Sequence, residues 1–160
     1  MTSTLRTLTL FSLMAFPALA SAAEPAEKGT KEVQDCVRAS TWDLYGEGWN
    51  VRSLKSAALP AAGRDFIAFR VNLFPGNEYM LVNCADAGAE SIVAAIYKKD
   101  GGETDDRGNP VPLAQSAADS RTPRLTFTPA DPGEYLVVLK VSGYAGEPNA
   151  ASVATAVTYR

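Results

Sequence analysis

Residues 64–85, RDFIAFRVNLFPGNEYMLVNCA, contain the pattern that decides the fold. Apolar side chains recur at every second position in both halves of this stretch. The alternation predicts two β-strands, Arg64–Phe74 and Glu78–Ala85, each with one buried face. The sequence PGN at 75–77 is typical of a tight turn between them. The stretch therefore predicts a protein built from short strands separated by turns.

The same strand pattern extends in both directions along the chain. Further strands are predicted over Val51–Leu59, Ser91–Lys98, Leu113–Ala118, Arg124–Thr128, Glu134–Val141 and Ala151–Tyr159. Ser91–Lys98 is apolar on both faces, as in a central strand. No crossover helix lies between the strands, so we expect them to be antiparallel. About seven or eight strands predict a mainly β protein, an antiparallel sandwich of jelly-roll or immunoglobulin type.

One helix is predicted before the first strand. Thr30 is expected to cap a helix from Lys31 to about Leu44, and the glycines at 46 and 48 end it. One face of this helix carries Val33, Cys36, Val37, Ser40 and Leu44. Residues 23–29 are expected to form a flexible leader, which leaves residues 30–160 as a single domain.

Residues 1–22 have the features of a secretory signal peptide. A basic residue, Arg6, precedes a short apolar stretch, and small residues lead to a cleavage site after Ala22. A membrane helix would need about 20 apolar residues, which this stretch does not provide. The chain is therefore expected to be periplasmic or secreted, in a Gram-negative bacterium, and to have no membrane span.

The chain contains two cysteines, Cys36 and Cys84. Exported proteins fold in an oxidising compartment, so the two thiols are expected to form a disulfide. The competing interpretation is a reactive thiol. The chain has no histidine to generate a thiolate, and the disulfide is the preferred interpretation.

Composition excludes several classes of function. The formal net charge is −3, so the chain lacks the basic character of a nucleic-acid-binding protein. The absence of histidine excludes Ser-His and Cys-His catalysis and histidine-ligated metals. The sequence contains no Gly-x-Ser-x-Gly and no Ser-x-x-Lys motif. These observations favour a protein that is not an enzyme.

Two turn motifs resemble a known family. Residues 73–79, LFPGNEY, form a Leu-x-x-Gly-x-x-Tyr turn, and Cys84 and Asp86 follow it. Residues 127–138, FTPADPGEYLVV, form a second turn that enters the next strand through Gly-x-Tyr. Together they resemble the bacterial pre-peptidase C-terminal type of β-sandwich, over roughly residues 51–141. The resemblance implies a module that accompanies secreted proteases or stands alone in the periplasm.

The turn residues of these motifs are predicted to have structural roles. They are Gly76, Tyr79, Asp131, Gly133 and Tyr135. Tyr135 is expected to bury its ring and to bond its hydroxyl to upstream backbone, as in a tyrosine corner. Gly133 is expected to let the backbone turn tightly.

The loop Lys98–Pro112, KKDGGETDDRGNPVP, is the most polar segment. One interpretation is a Ca²⁺ site, because carboxylate and amide oxygens are the ligands that calcium prefers. Its ligands would be Asp100, Glu103, Asp105, Asp106 and Asn109. The alternative is a hairpin with a solvated tip and no cofactor.

Three aromatic side chains, Trp42, Tyr45 and Trp49, lie near the predicted end of the helix. Helical spacing places them opposite the apolar face. They are interpreted either as a second buried face or as an exposed platform for a sugar or a partner's pocket. If the helix stops earlier, they would instead close the end of the sandwich.

The sequence thus predicts an exported, non-catalytic binding or accessory protein. Its expected partner is an envelope protein, a peptide or a polysaccharide. Two alternatives stay open. The first is an inhibitor or immunity-type protein that blocks an envelope enzyme through the 98–112 loop, and the second is a small hydrolase that uses two carboxylates.

Overall fold

A computed structural model describes residues 23–60 and 63–160. The predicted signal peptide lies outside the described residues. The elements are one helix, α1 (Ala23–Gly46), and eight strands: β1 (Asn50–Leu59), β2 (Phe66–Leu73), β3 (Tyr79–Ala85), β4 (Ala89–Lys98), β5 (Ala114–Gln115), β6 (Arg124–Phe127), β7 (Gly133–Tyr144) and β8 (Ala151–Tyr159). The prediction of a mainly β protein with one N-terminal helix is confirmed.

The strands form two four-stranded sheets. The first has the order β1-β8-β3-β6 and the second has the order β2-β7-β4-β5, with antiparallel pairing throughout. The inward rows of both sheets meet in one apolar core, which includes Leu73, Tyr79, Leu81, Ile92, Ile96 and Leu139. The antiparallel sandwich is therefore confirmed. β2 and β3 lie in different sheets, so the turn at 75–77 carries the chain across the core.

The helix α1 packs on the outer face of the first sheet. Its residues Val33, Val37 and Leu44 are buried there, as the helical spacing predicted. Beneath them lie Val82, Cys84, Ala154 and Ala156 of β3 and β8. Because α1 covers one side of the sheet and the core covers the other, β8 is buried on both faces up to its last residue.

Helical structure is described from Ala23 onward, so α1 extends before the predicted start at Lys31. Residues 23–29 belong to this helix, the flexibility expected for them stays a prediction, and Thr30 lies inside the helix, not at its cap. Among the described residues, no helix combines the length and the apolar character needed to cross a bilayer.

The disulfide between Cys36 and Cys84 is present, with the two Cα atoms 6.2 Å apart. It joins α1 to β3 within the small core beneath the helix. Cys84 is fully buried. The predicted cysteine pairing is therefore confirmed.

The turn tyrosines hold the connections between the sheets. The hydroxyl of Tyr135 donates to the carbonyl of Asp131 at 2.7 Å, as expected for a tyrosine corner. The hydroxyl of Tyr79 accepts a hydrogen bond from the backbone N–H of Phe74 at 3.1 Å. Gly76 has a φ of +87°, a conformation that favours glycine.

The prediction that Gly133 lets the backbone turn tightly is wrong. Its φ is outside the left-handed region, and a Cβ added there would meet nothing within 4 Å. It is the first residue of β7 and pairs with Leu73. The tight turn before it therefore does not depend on a glycine at this position.

Candidate binding site

The outer face of the second sheet is not covered by any element among the described residues. We call it the open face, and we call the outer face under α1 the covered face. The outward positions of three strands carry Phe66, Ala68 and Arg70 on β2, Leu136, Val138 and Lys140 on β7, and Val93, Ala95 and Tyr97 on β4. Most of these side chains are apolar, although they point away from the core.

Strand register aligns the smallest of these side chains in one row. Ala68 pairs with Val138, and Val138 pairs with Ala95, so the three lie side by side across the sheet. Larger side chains form a row on either side: Phe66, Lys140 and Val93 in one, and Arg70, Leu136 and Tyr97 in the other. The result is a trough across the strands, with small residues as its floor.

The trough is large enough for a segment of polypeptide. Outward rows are about 7 Å apart along a strand, so the two flanking rows are about 14 Å apart at the backbone. The volume is about 880 Å³. Ligand sites in proteins usually measure about 300–1,000 Å³ and are mostly apolar. In size and chemistry the trough therefore resembles a binding site.

The flanks of the trough carry positive charge. The ammonium group of Lys99 donates a hydrogen bond to Glu134, and Arg70 Nε lies 4.0 Å from the same carboxylate. The hydrogen bond from Lys99 lowers the pKa of Glu134 below its ordinary value. Two cations thus share one anion. Lys140, in the opposite row, makes no ion pair among the described residues.

The polar 98–112 loop closes one end of the trough. Asn109 and Pro110 line the trough beside Gln115 of β5. The loop is a hairpin, in which Thr104 forms a β-bridge with Pro110 and the N–H of Val111 donates to the carbonyl of Glu103 at 2.9 Å. The sequence indicated the hairpin but not its place beside this face.

Asp105 organises the tip of this loop. Its carboxylate accepts the backbone N–H groups of Arg107 at 2.9 Å and Asn109 at 2.8 Å, and also the Asn109 side-chain amide. These hydrogen bonds, with the Asn109 side chain contributing most, lower the pKa of Asp105 below its ordinary value of 3.8. The lone pairs that a cation would use are therefore already directed at the loop's own N–H groups.

The predicted calcium ligands are not gathered around one point. Among residues 23–60 and 63–160, no group of three or more Asp, Glu, Cys or His side chains is close enough to hold a metal ion. Of the predicted set, Asp105 and Asn109 contact each other. Calcium binding by Asp100, Glu103, Asp105, Asp106 and Asn109 stays a prediction of the sequence.

The three predicted aromatics separate into two environments. Trp49 is 3% exposed and packs in the core beneath α1, whereas Trp42 is 76% exposed and Tyr45 is 53% exposed. Gly48, at a φ of +84°, turns the chain back after the helix, and the N–H of Trp49 bonds to the carbonyl of Leu44. Trp49 is therefore a core residue, Trp42 and Tyr45 are exposed, and a binding role for these two exposed rings stays a prediction.

The two exposed aromatics lie at the C-terminal end of α1. Their ring centroids are 6.2 Å apart and their planes meet at 75°. They form a shallow surface together with Asp43 and Gly46. A T-shaped pair offers one ring face and one edge, so a three-ring platform is not formed.

Sequence reasoning missed the trough. Ser91–Lys98 was correctly interpreted as apolar on both faces, but the outward row was not pursued as a site. The available signal was the apolar character of outward positions on β2, β4 and β7. What aligns these positions is the strand order β2-β7-β4, which the sequence does not reveal.

Solved structures with a similar fold include two bacterial proteins. One is the pre-peptidase C-terminal domain of a collagenase from Bacillus anthracis, with a TM-score of 0.46 and 11% identity, covering 66% of this chain and 87% of that chain. The other is PliG, a periplasmic inhibitor of g-type lysozyme from Aeromonas hydrophila, with a TM-score of 0.49 and 12% identity, covering 71% and 90%. The first is a domain of the class that the two turn motifs resemble. No family model and no curated protein matches the chain.

Proposed function

We propose that the protein is an extracytoplasmic binding protein without catalytic activity, and that it recognises a protein partner through the trough on the open face. The observation that carries this proposal is an apolar trough of about 880 Å³ on a sheet face that no described element covers. Apolar concave surfaces with a few polar groups at the rim are the usual sites of recognition.

The compartment follows from the cysteines and the N-terminal sequence. Disulfides persist in oxidising compartments and are rare in the cytosol of mesophiles. The bond between Cys36 and Cys84 therefore supports export. The predicted signal peptide over residues 1–22 adds the same conclusion from sequence, and together they favour the periplasm or the exterior of the cell.

The trough does not favour the hydrolase alternative. A glycoside hydrolase of the usual kind needs two carboxyl groups about 5–10 Å apart on either side of the scissile bond. Asp65 is the one carboxylate among the residues lining the trough. The acids of the 98–112 loop lie beyond its end, and Asp105 is occupied by its own loop.

A specific observation favours the inhibitor as a second candidate. The 98–112 loop is exposed, and its tip is tied by Asp105 and by a backbone bond from the N–H of Asp105 to the carbonyl of Asn109 at 2.8 Å. An ordered protruding loop loses little entropy on entering a partner's cleft. In this version the loop, not the trough floor, makes the main contact.

The test compares two matched substitutions on β2. Ala68→Trp fills the floor of the trough, whereas Asn72→Trp places the same ring on the outward face of the same strand, outside the trough lining. Both positions are exposed, so both variants are expected to fold. Immobilised wild-type protein, the two variants and a deletion of residues 101–108 are each incubated with envelope proteins, and retained proteins are identified by mass spectrometry.

The outcomes separate the candidates. A protein retained by wild type and Asn72→Trp, but not by Ala68→Trp, is the expected result. A partner lost only in the loop deletion would favour the inhibitor over the trough. Identical retention by all four proteins would exclude both the trough and the 98–112 loop as the binding surface. Retention of nothing by wild type would contradict a binding role.

A further inference from the structure

We propose that the trough recognises an acidic segment of polypeptide, with an apolar side chain on the floor and carboxylates against the cations of the two flanking rows. This inference rests on the proposed function and names the chemistry of the partner.

The trough carries a small excess of positive charge, opposite in sign to the charge of the chain. The whole sequence has a formal net charge of −3. Three lysines line the trough, Lys98, Lys99 and Lys140, and Arg70 stands beside it. Together with the lining residue Asp65 and the paired Asp131 and Glu134, these four cations face three carboxylates, which leaves 4 − 3 = +1. A local reversal of sign against the overall charge steers an oppositely charged partner to that surface.

The cations that remain available lie on both sides of the floor. Lys98 is engaged by Asp131, with the ammonium group 3.0 Å from the carboxylate. Arg70 and Lys99 divide a single carboxylate, Glu134, which leaves one positive charge uncompensated beside Leu136. Lys140 makes no ion pair among the described residues and stands in the opposite row. A segment in the trough would meet a cation on either side.

The floor selects polypeptide over other anions. Ala68, Val138 and Ala95 offer no hydrogen-bond donor from their side chains, and Phe66 and Tyr97 add aromatic surface to the flanks. An anionic polysaccharide would satisfy the cations but would leave this apolar surface against hydroxyl groups, whose burial without a partner is unfavourable. An apolar side chain between carboxylates matches both properties of the trough.

The direct probe is a displayed library of random linear peptides. The library is selected on the immobilised mature protein and, in parallel, on Ala68→Trp. Peptides enriched on wild type but not on the variant are expected to be rich in Asp and Glu, with an apolar residue among them. Their binding should weaken as the salt concentration rises, because exposed charge pairs are screened.

Charge variants then locate the contact. Lys140→Gln and Arg70→Gln are each expected to weaken the best enriched peptide several-fold. Lys55→Gln removes an exposed lysine from β1 of the other sheet and is the matched control, with unchanged binding expected. Replacing Asp and Glu in the peptide by Asn and Gln should weaken binding to wild type and have a smaller effect on Lys140→Gln.

Failure of this inference is distinguishable from failure of the proposed function. Enriched peptides that need Ala68 but carry no acidic residues would overturn the acidic partner and leave the trough as a protein site. A sulfated polysaccharide probe that binds wild type but not Lys140→Gln, with no peptide enriched, would also overturn it. If neither peptides nor envelope proteins distinguish wild type from Ala68→Trp, both proposals are wrong.

Discussion

Both outer faces of the sandwich carry small alanine side chains at outward positions, but only one of the two faces is covered by a helix. On the covered face, Ala154 and Ala156 are small, so α1 can approach β8 closely and bury Val37. On the open face, Ala68 and Ala95 are equally small, and Ala68 is exposed because no described element packs over it. Small outward side chains on a sheet let another segment of polypeptide pack close to the strands. On one face the chain supplies the helix itself, and on the other it leaves a trough for a partner.

This difference has a consequence for stability. Burial of apolar surface contributes about 25 cal/mol per Å². The residues of the covered face make that contribution in the folded chain alone. On the open face, Ala95 is buried, but Ala68, Leu136 and Val138 are partly or fully exposed and would contribute mainly when a partner binds. Substitutions on the covered face should destabilise the fold, whereas those on the open face should mainly affect binding.

The largest expected effect distinguishes the two tryptophans near the end of α1. Trp49→Ala should lower the free energy of unfolding by roughly 3–5 kcal/mol, as for other buried aromatic truncations. Trp49 packs under the helix, and Arg160 stacks on its ring at 4.5 Å. Trp42→Ala should change the free energy of unfolding by less than about 0.5 kcal/mol. Urea denaturation of both variants measures the difference, and equal midpoints would contradict the assignment of Trp49 to the covered face.

The next effect concerns the bond between α1 and the first sheet. Replacing both Cys36 and Cys84 by alanine should lower the free energy of unfolding. The cysteines are 48 residues apart, and chain-entropy arithmetic for a loop of this length gives about 4 kcal/mol. Calorimetry of the double variant measures the loss. An unchanged midpoint would mean that the covered face is held by packing alone, and unaltered peptide binding by the folded variant is the control for the open face.

A pair of leucines tests the comparison with identical chemistry. Leu44 of α1 is buried on the covered face, whereas Leu136 of β7 stands partly exposed beside the trough. Leu44→Ala should cost about 3 kcal/mol, because a cavity forms under the helix. Leu136→Ala should cost less than about 1 kcal/mol. Chemical denaturation of both variants measures the loss in free energy of unfolding. A larger loss for Leu136→Ala than for Leu44→Ala would contradict the comparison of the two faces.

The sequence was sufficient for the strands because their signal is local. Alternation in β2, β3 and β7 depends only on neighbouring residues, and each predicted strand is present within a few residues of its expected ends. The part of α1 before Lys31 was missed because residues 23–29 were interpreted as a flexible leader. Gly29 lies inside this helix, and one helical glycine costs only about 1 kcal/mol relative to alanine.

The trough could not be predicted in the same way. Its floor joins Ala68, Val138 and Ala95, which are far apart in the sequence and become neighbours through the register of β2, β7 and β4. The prediction that the three aromatic side chains lie together was wrong for a related reason. The turn at Gly48 reverses the direction of the chain, so helical spacing no longer places Trp49 beside Trp42. Signals that depend on strand order or on the path after a turn are not local.

The smallest expected effect concerns the loop at the end of the trough. Asp105→Ala removes the acceptor for the N–H groups of Arg107 and Asn109 and should lower the thermal midpoint slightly near neutral pH. Asp106→Ala is the matched control, a neighbouring acid for which no hydrogen bond is found in the described chain. Its midpoint should stay at the wild-type value.

The effect of Asp105 should depend on pH in a defined direction. Its pKa in the folded protein lies below the ordinary value of 3.8, so the native state binds the proton less readily than the unfolded chain. The stabilisation is therefore complete above pH 3.8 and disappears as the pH falls through the lowered pKa. The midpoints of wild type and Asp105→Ala should differ near neutral pH and converge in acid. A constant difference across this range would show that the carboxylate's charge does not organise the loop, and the end of the trough would then be set by backbone hydrogen bonds alone.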